Sequence, residues 1–168
     1  ERTASPRGPG WGPGARRCSI HGRNKWKVAE ECRSPALRAE QESGLRAAAV
    51  ALVRAGGYRG AGTVEFVYQP TDETFAFVGV NARLQSDHPL TEATTGLDLV
   101  KLQLLIADGH RLLGPAPPHA RHATETRPNA QDAAQGFAPA PRTDGPPHPP
   151  AGTATPFHTR TTPPPPAP

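Results

Sequence analysis

Residues 61–98 read AGTVEFVYQPTDETFAFVGVNARLQSDHPLTEATTGLD, and the fold turns on them. Two apolar runs, Thr63–Tyr68 and Thr74–Val80, flank the polar break Gln69-Pro70-Thr71-Asp72-Glu73. Val, Phe, Tyr and Thr suit a pleated surface and Pro with Asp suits a turn, so the spacing predicts a β-hairpin. Alternation puts Val64, Phe66 and Tyr68 on one face and Thr63, Glu65 and Val67 on the other. Directly after the second strand come Asn81, Arg83, Gln85, Asp87 and His88. On extended backbone Asn81, Arg83, Gln85 and Asp87 line one face. An amide, a guanidinium, a second amide and a carboxylate in that register suit an anion held beside a metal or a proton acceptor. His88-Pro89 predicts that extended backbone runs on to the proline.

Working outward, Ser34-Pro35 predicts a helix start, with Ser34 as the cap and Pro35 in the first turn. Leu37, Gln41, Leu45, Ala48, Leu52 and Ala55 recur every three or four residues up to Gly56-Gly57. That is an amphipathic helix whose Ala-rich side (Ala47, Ala48, Ala49, Ala51) packs on the hairpin. The glycine-rich 56–62 lacks a Gly-Lys-Ser/Thr ending, so it reads as a tight turn into the strand, not a phosphate loop. After Thr95-Gly96 a further helix is expected over about 97–108, with a stripe of Leu97, Val100, Leu104 and Ala107 widened by Leu105.

Composition confines the core to the middle of the 168 residues: 35% are hydrophobic and 5% aromatic, and most of the 22 prolines fall from Pro115 onward. Residues 1–17 are rich in Gly, Pro and Arg and are expected to be disordered; 153–168 form a Pro/Thr-rich tail. The net charge of +4 comes from dispersed arginines without aromatic interleaving, which argues against nucleic-acid binding. No apolar run is long enough to span a membrane and no signal peptide is evident, so a cytoplasmic location is expected. Cys18 and Cys32 form neither a metal motif nor a disulfide framework. The start at Glu1 and the lack of Met lead us to expect a piece of a longer chain.

The stretches GYRGAGTVEF (57–66, counting from Gly57) and NARLQSDHPLTEATTGLDLV (81–100) resemble the biotin carboxylase family of ATP-grasp ligases. That family reads GYxGAGTVEF and then E-x-N-x-R-x-Q-V-E-H-P-V-T-E-x-x-T-G-x-D-L-V. The resemblance extends over about 14–152: Gly14–Ile20 and Cys18–Glu31 are similar to G-E-R-D-C-S-I and C-S-I-Q-R-R-x-Q-K-V-x-E-E, and 122–141 to H-A-I-E-A-R … E-D-P-A-x-G-F-L-P-A-P. It implies an α+β fold: the C-terminal part of an ATP-grasp domain, antiparallel strands with packed helices, over 18–113. The start of the C-terminal β domain follows over 114–152.

The resemblance also implies residue roles. Glu65 and Asn81 would hold Mg²⁺ or Mn²⁺, with Glu65, His21 and Asn24 on the ATP side. Lys27, Arg83, Gln85 and Ser86 (through its backbone) would bind bicarbonate; Lys25 is the alternative if an insertion near Lys25-Trp26 is absorbed later. Asp87 would be the base, and Arg127 would stabilise carboxyphosphate and the biotin enolate. His21 and Asn24 equally suit an exposed polar strand, and Glu65 a salt-bridged one. His88 reads as structural.

The departures are specific. The family's second metal carboxylate is Gly79 here, so Mg²⁺ would lean on nucleotide phosphates and the rate would fall steeply. Asp87 stands for a Glu and Ser86 for a Val; Pro128 follows Arg127, and Thr124 and Thr126 replace apolar residues. The implied reaction is ATP- and bicarbonate-dependent carboxylation of biotin on a carrier protein, within an acyl-CoA carboxylase. The implied partners are a biotin carboxyl carrier and a carboxyltransferase subunit, and family members are often homodimeric. This chain alone is expected to be inactive or very slow. The alternative is a non-catalytic module that binds a partner and offers its 162–166 proline run to a proline-reading domain.

Overall fold

The hairpin of 61–81 belongs to one of three sheets in a computed structural model, which describes residues 2–4, 10–21, 27–127 and 129–140. Strands β1 (Arg2–Ala4), β2 (Arg16–His21) and β3 (Lys27–Cys32) precede helix α1 (Ala39–Ala55). Then come β4 (Gly60–Gln69), β5 (Thr74–Asn81), α2 (His88–Thr95), α3 (Leu99–Ala107) and β6 (Ala123–Thr126). Among the described residues all strand pairing is antiparallel: β1-β4-β5 form one sheet and β2-β3-β6 a second. Helix α3 packs on β1 and β4, and α2 on β3 and β6. This is the mixed helix and antiparallel-sheet architecture that the sequence predicts.

The hairpin closes in the expected register, Thr63↔Asn81 through Gln69↔Thr74, with a bulge after Glu65↔Gly79 that leaves Phe66 opposite Phe77. Phe66 meets Phe75 and Phe77 edge-on at centroid separations of 5.5 and 6.2 Å. Buried side chains between the sheets and helices are mostly small or aliphatic: Ala29, Cys32, Ala49, Val53, Ala61, Leu90, Leu99, Ile106.

Several local expectations are corrected. Residues 1–17 are not uniformly structureless: Arg2–Ala4 pairs with Gly60–Gly62 along the open edge of β4, and β2 already begins at Arg16. Three residues free of Gly and Pro suffice to fill such an edge. Helix α1 starts at Ala39, where the Arg38 backbone N–H donates to Gln41 Oε1 at 2.9 Å, while Ser34 is buried in the preceding turn. Its deeply buried residues are Glu42, Ala49 and Val53, one position beyond the predicted stripe, and Ala47 and Ala51 face solvent. The helix reaches the hairpin through polar contacts instead. Gln41 Nε2 donates to the Tyr68 hydroxyl (3.1 Å), and Arg38 pairs with Glu73.

His88-Pro89 does not continue extended backbone. It opens α2, because proline's fixed φ and missing N–H cost nothing in a first helical turn. In α3, Leu99 and Ile106 are buried, whereas Val100, Leu104 and Leu105 of the predicted stripe are exposed. An almost wholly apolar segment leaves its own phase undetermined.

Residues from Arg127 onward form a second compact unit, so the structural division falls after β6 and later than the composition shift at Gly114. Within it β7 (Gln131–Asp132) pairs with β8 (Ala138–Pro139) across a 3-10 turn at Ala133–Gln135, where Asp132 accepts from the Ala134 amide. The proline-rich tail lies outside the described residues.

Candidate functional site

Three groupings contain most of the predicted site residues that the structure describes in the first unit; His21 and Ser86 stand apart from them. The first is on the hairpin. Glu65 points sideways from β4, directly opposite Gly79. Its Oε1 accepts two amide N–H groups, from Asn81 Nδ2 at 2.9 Å and Gln85 Nε2 at 3.1 Å. Both donors arrive because β5 ends at Asn81 and the chain bends at Ala82 and Arg83 before running back toward α2. A Cβ at Gly79 would meet nothing within 4 Å, so the side of Glu65 facing β5 is open. One carboxylate with amide oxygens is a hard-oxygen donor set that fits Mg²⁺ shared with phosphate oxygens. It does not fit a cation held by protein alone: among the described residues, no group of three His, Cys, Asp or Glu could hold a metal.

The second grouping is a buried charge cluster. Asp87, 1% exposed, precedes α2 at its N-cap, yet its carboxylate makes no bond to the helix amides. It turns instead to Arg16 of β2 (Nη2 to Oδ1, 3.0 Å) and Lys27 of β3 (Nζ to Oδ2, 3.7 Å). The positive end of α2 adds to its stabilisation. Glu30, 4% exposed, shares both cations: Arg16 Nε at 3.3 Å and Lys27 Nζ at 3.5 Å. Arg16 Nη1 also donates to Thr91 Oγ1 of α2 at 3.3 Å. Burial first, and then the neighbouring Asp87 carboxyl, push Glu30 from the usual 4.5 up to about 7, with Arg16 and Lys27 pulling the other way. Lys27, about one-third exposed, is the open rim of an otherwise buried set.

The third grouping holds Arg83. It is exposed, donates to the Leu84 carbonyl at 3.1 Å, and lines a cleft of about 420 Å³ with Tyr58, Arg59 and Gln103. The alternation expected for Asn81, Arg83, Gln85 and Asp87 therefore does not hold. The bend after Asn81 sends Asn81 and Gln85 to Glu65, Arg83 to the cleft and Asp87 to the interior. Ser86 is exposed in the turn before α2. His88 is tied to the Gln85 carbonyl through its backbone N–H (3.1 Å) and Nδ1 (2.8 Å), a turn-closing role. His21 ends β2 opposite Lys27 and is exposed. Asn24 and Lys25 lie outside the described residues. Arg127 is half-buried and follows β6 as the first residue of the second unit.

Sequence reasoning missed Arg16, Glu30 and Thr91. Arg16 lies in a stretch that lacks both acids of the G-E-R-D-C-S-I pattern, and Glu30 is one of two adjacent acids on its strand. The usable signal was burial: an acid between Ala29 and Cys32 on a strand must find cations. Cys32 is fully buried beside Thr94 Oγ1 (3.6 Å) and His119 Nδ1 (3.5 Å). Burial raises its thiol pKa, so it is not an activated nucleophile.

Comparison with known proteins gives one consistent picture. Residues 14–114 match the family described as carbamoyl-phosphate synthase L chain, ATP binding domain. Biotin carboxylase 1 of Bacillus subtilis is 41% identical over 130 residues, which is 76% of this chain and 29% of that protein. A biotin carboxylase from Campylobacter jejuni, solved with a β,γ-ATP complex, superposes with a TM-score of 0.82 at 30% identity over 90% of this chain and 33% of that one. The biotin carboxylase domain of Hydrogenobacter thermophilus 2-oxoglutarate carboxylase, solved as a dimer with MgADP and bicarbonate, gives 0.81 at 35% identity over 90% of this chain and 33% of that one. This chain spans about a third or less of the length of these relatives.

Proposed function

From the premise that this chain belongs to the carbamoyl-phosphate synthase L chain ATP-binding domain family, as a partial member of its biotin carboxylase branch, we propose that it carries the metal and bicarbonate part of a biotin carboxylase site. The observation that carries the reading is the meeting of Lys27 with Asp87, sixty residues apart in sequence, at 3.7 Å. An ammonium about one-third exposed over a buried carboxylate is suited to draw in a small anion and take its proton.

In this reading Lys27 holds bicarbonate and Asp87 accepts its hydroxyl proton, so that an oxygen of the resulting carbonate attacks the γ-phosphorus of ATP as the bond to the ADP oxygen breaks. Glu65 and Asn81 would hold Mg²⁺, which when bound would neutralise charge on the transferring phosphoryl group. Gln85 keeps Glu65 in place through its 3.1 Å hydrogen bond. Arg83 offers its guanidinium to the planar bicarbonate anion, and Arg127 would stabilise carboxyphosphate and the biotin enolate. Biotin on a carrier protein supplies the nitrogen that accepts the carboxyl group. The partners follow: a biotin carboxyl carrier, a carboxyltransferase subunit and a second copy of the subunit. A cytoplasmic setting suits Cys32, which remains a free thiol.

Phosphate release from Mg·ATP tests this reading, measured with and without bicarbonate and free biotin. We expect slow but bicarbonate-dependent release, reduced at least tenfold in Lys27→Ala and Arg83→Ala. Equal release by all three folded chains sinks the assignment. A second reading, a non-catalytic partner-binding module, draws on the exposed apolar hairpin face of Val67, Phe77, Val78 and Val80 together with the missing carboxylate at Gly79. It predicts no bicarbonate dependence at all.

A further inference from the structure

We propose that Glu30 is a positioning residue for Asp87, sharing with it the proton that leaves bicarbonate, so that the acceptor is a two-carboxyl pair clamped by Arg16 and Lys27. This rests on the functional reading above. The geometry is specific: one guanidinium bonds Glu30 through Nε (3.3 Å) and Asp87 through Nη2 (3.0 Å). One ammonium spans the same two carboxyls at 3.5 and 3.7 Å. Four groups from β2, β3 and the start of α2 thus form a closed ring, with Thr91 holding the remaining Arg16 nitrogen.

Two carboxyls sharing the same partners in a buried site resist double ionisation, which favours one shared proton. The elevated proton affinity of Glu30 is the expected companion of that arrangement. Two further carboxylates stand on or near the strand. Glu125 of β6 stands opposite Glu30 in register. Glu31 points away, toward Arg17 (3.6 Å) and His122 (3.5 Å).

The proton balance is simple. The O–H bond of bicarbonate breaks, its electron pair stays on the carbonate oxygen, and the proton lands on Asp87 and is shared with Glu30. With one proton aboard, two cations face a single negative charge; with none, they face two. A lone Asp87 between two cations is a weaker base than the pair, so removing Glu30 should shift the pH at which the proton is accepted.

The test is a carboxyl ¹³C NMR titration of the full chain, wild type, Glu30→Gln, Glu30→Asp, Asp87→Asn and Lys27→Ala, with and without bicarbonate. Support consists of a carboxyl step near pH 7 that vanishes in Glu30→Gln, moves to lower pH in Asp87→Asn, is partly restored in Glu30→Asp, and shifts by at least half a pH unit when bicarbonate is added. A Glu30 step near 4.5 that ignores Asp87→Asn overturns the pair, and this outcome needs no variant at position 30. If bicarbonate binds in a Lys27-dependent way but leaves the Glu30 step unmoved, the inference falls and the functional reading stands. If bicarbonate does not bind to the folded chain, both fall.

Discussion

Gly79→Glu is the substitution with the most to say about this site. Gly79 is the direct cross-strand partner of Glu65, and a Cβ there has nothing within 4 Å. Directly opposed side chains on antiparallel strands have Cβ atoms about 4.5–5.5 Å apart, close enough for two carboxylates to reach one cation. Without metal the new pair is repulsive by roughly 0.2–1 kcal/mol, while replacing a strand glycine returns about 0.5–1 kcal/mol, so the apo variant should unfold within a degree or two of the wild type. With Mg²⁺ present at about ten times its dissociation constant, binding adds about 1.4 kcal/mol, or roughly 3–6 °C for a chain of this size. The assay is thermal unfolding with and without 10 mM Mg²⁺. We expect a rise of that order in Gly79→Glu, none in the wild type, and its loss when Glu65→Gln is added. A variant that folds yet shows no Mg²⁺-dependent rise refutes the placement of the metal on the hairpin.

Three further outcomes follow from the packing and charge. Because burial and Asp87 raise Glu30 above its unfolded value, its stabilising contribution is complete below about pH 4.5 and is lost as pH rises to about 7; at about 1.4 kcal/mol per tenfold change in proton affinity the loss is at most about 3.5 kcal/mol. Urea midpoints should therefore fall across that window in the wild type and stay flatter in Glu30→Gln. Arg16→Met leaves two buried carboxyls short of a cation and should cost about 3–5 kcal/mol at pH 8 but much less at pH 5, where Glu30 is protonated. Leu99→Ala, at a fully buried position, should lower stability by about 2–5 kcal/mol, whereas Leu104→Ala, 64% exposed, should change it by less than about 0.5 kcal/mol; the reverse order contradicts the phase of α3.

The hairpin was legible because its alternation and turn chemistry agree, and its bounds came within a few residues on each strand. Helix α1 was legible at its glycine end and misread at its start, since Ser34-Pro35 imitates a cap while the true cap, Arg38–Gln41, has no standard signature. Helix α2 was lost to the proline rule, which marks a boundary without saying on which side of it the helix lies. For the site, Glu65, Asn81 and Gln85 were found as residues, but their convergence depends on a bend that strand periodicity does not encode. Glu30 left only the signal of an acid in a buried strand, which does not name its partners. Which cations it meets is set by tertiary burial, which brings β2, β3 and α2 to one point.

The central claim is that Lys27 and Asp87 form a small-anion site. Line broadening of ¹³C-bicarbonate at pH 8 tests it most directly, comparing the full chain with Lys27→Ala. The account predicts saturable broadening in the wild type, displaced by excess unlabelled bicarbonate and lost in the variant. Equal broadening in both, or none in either folded chain, would contradict it.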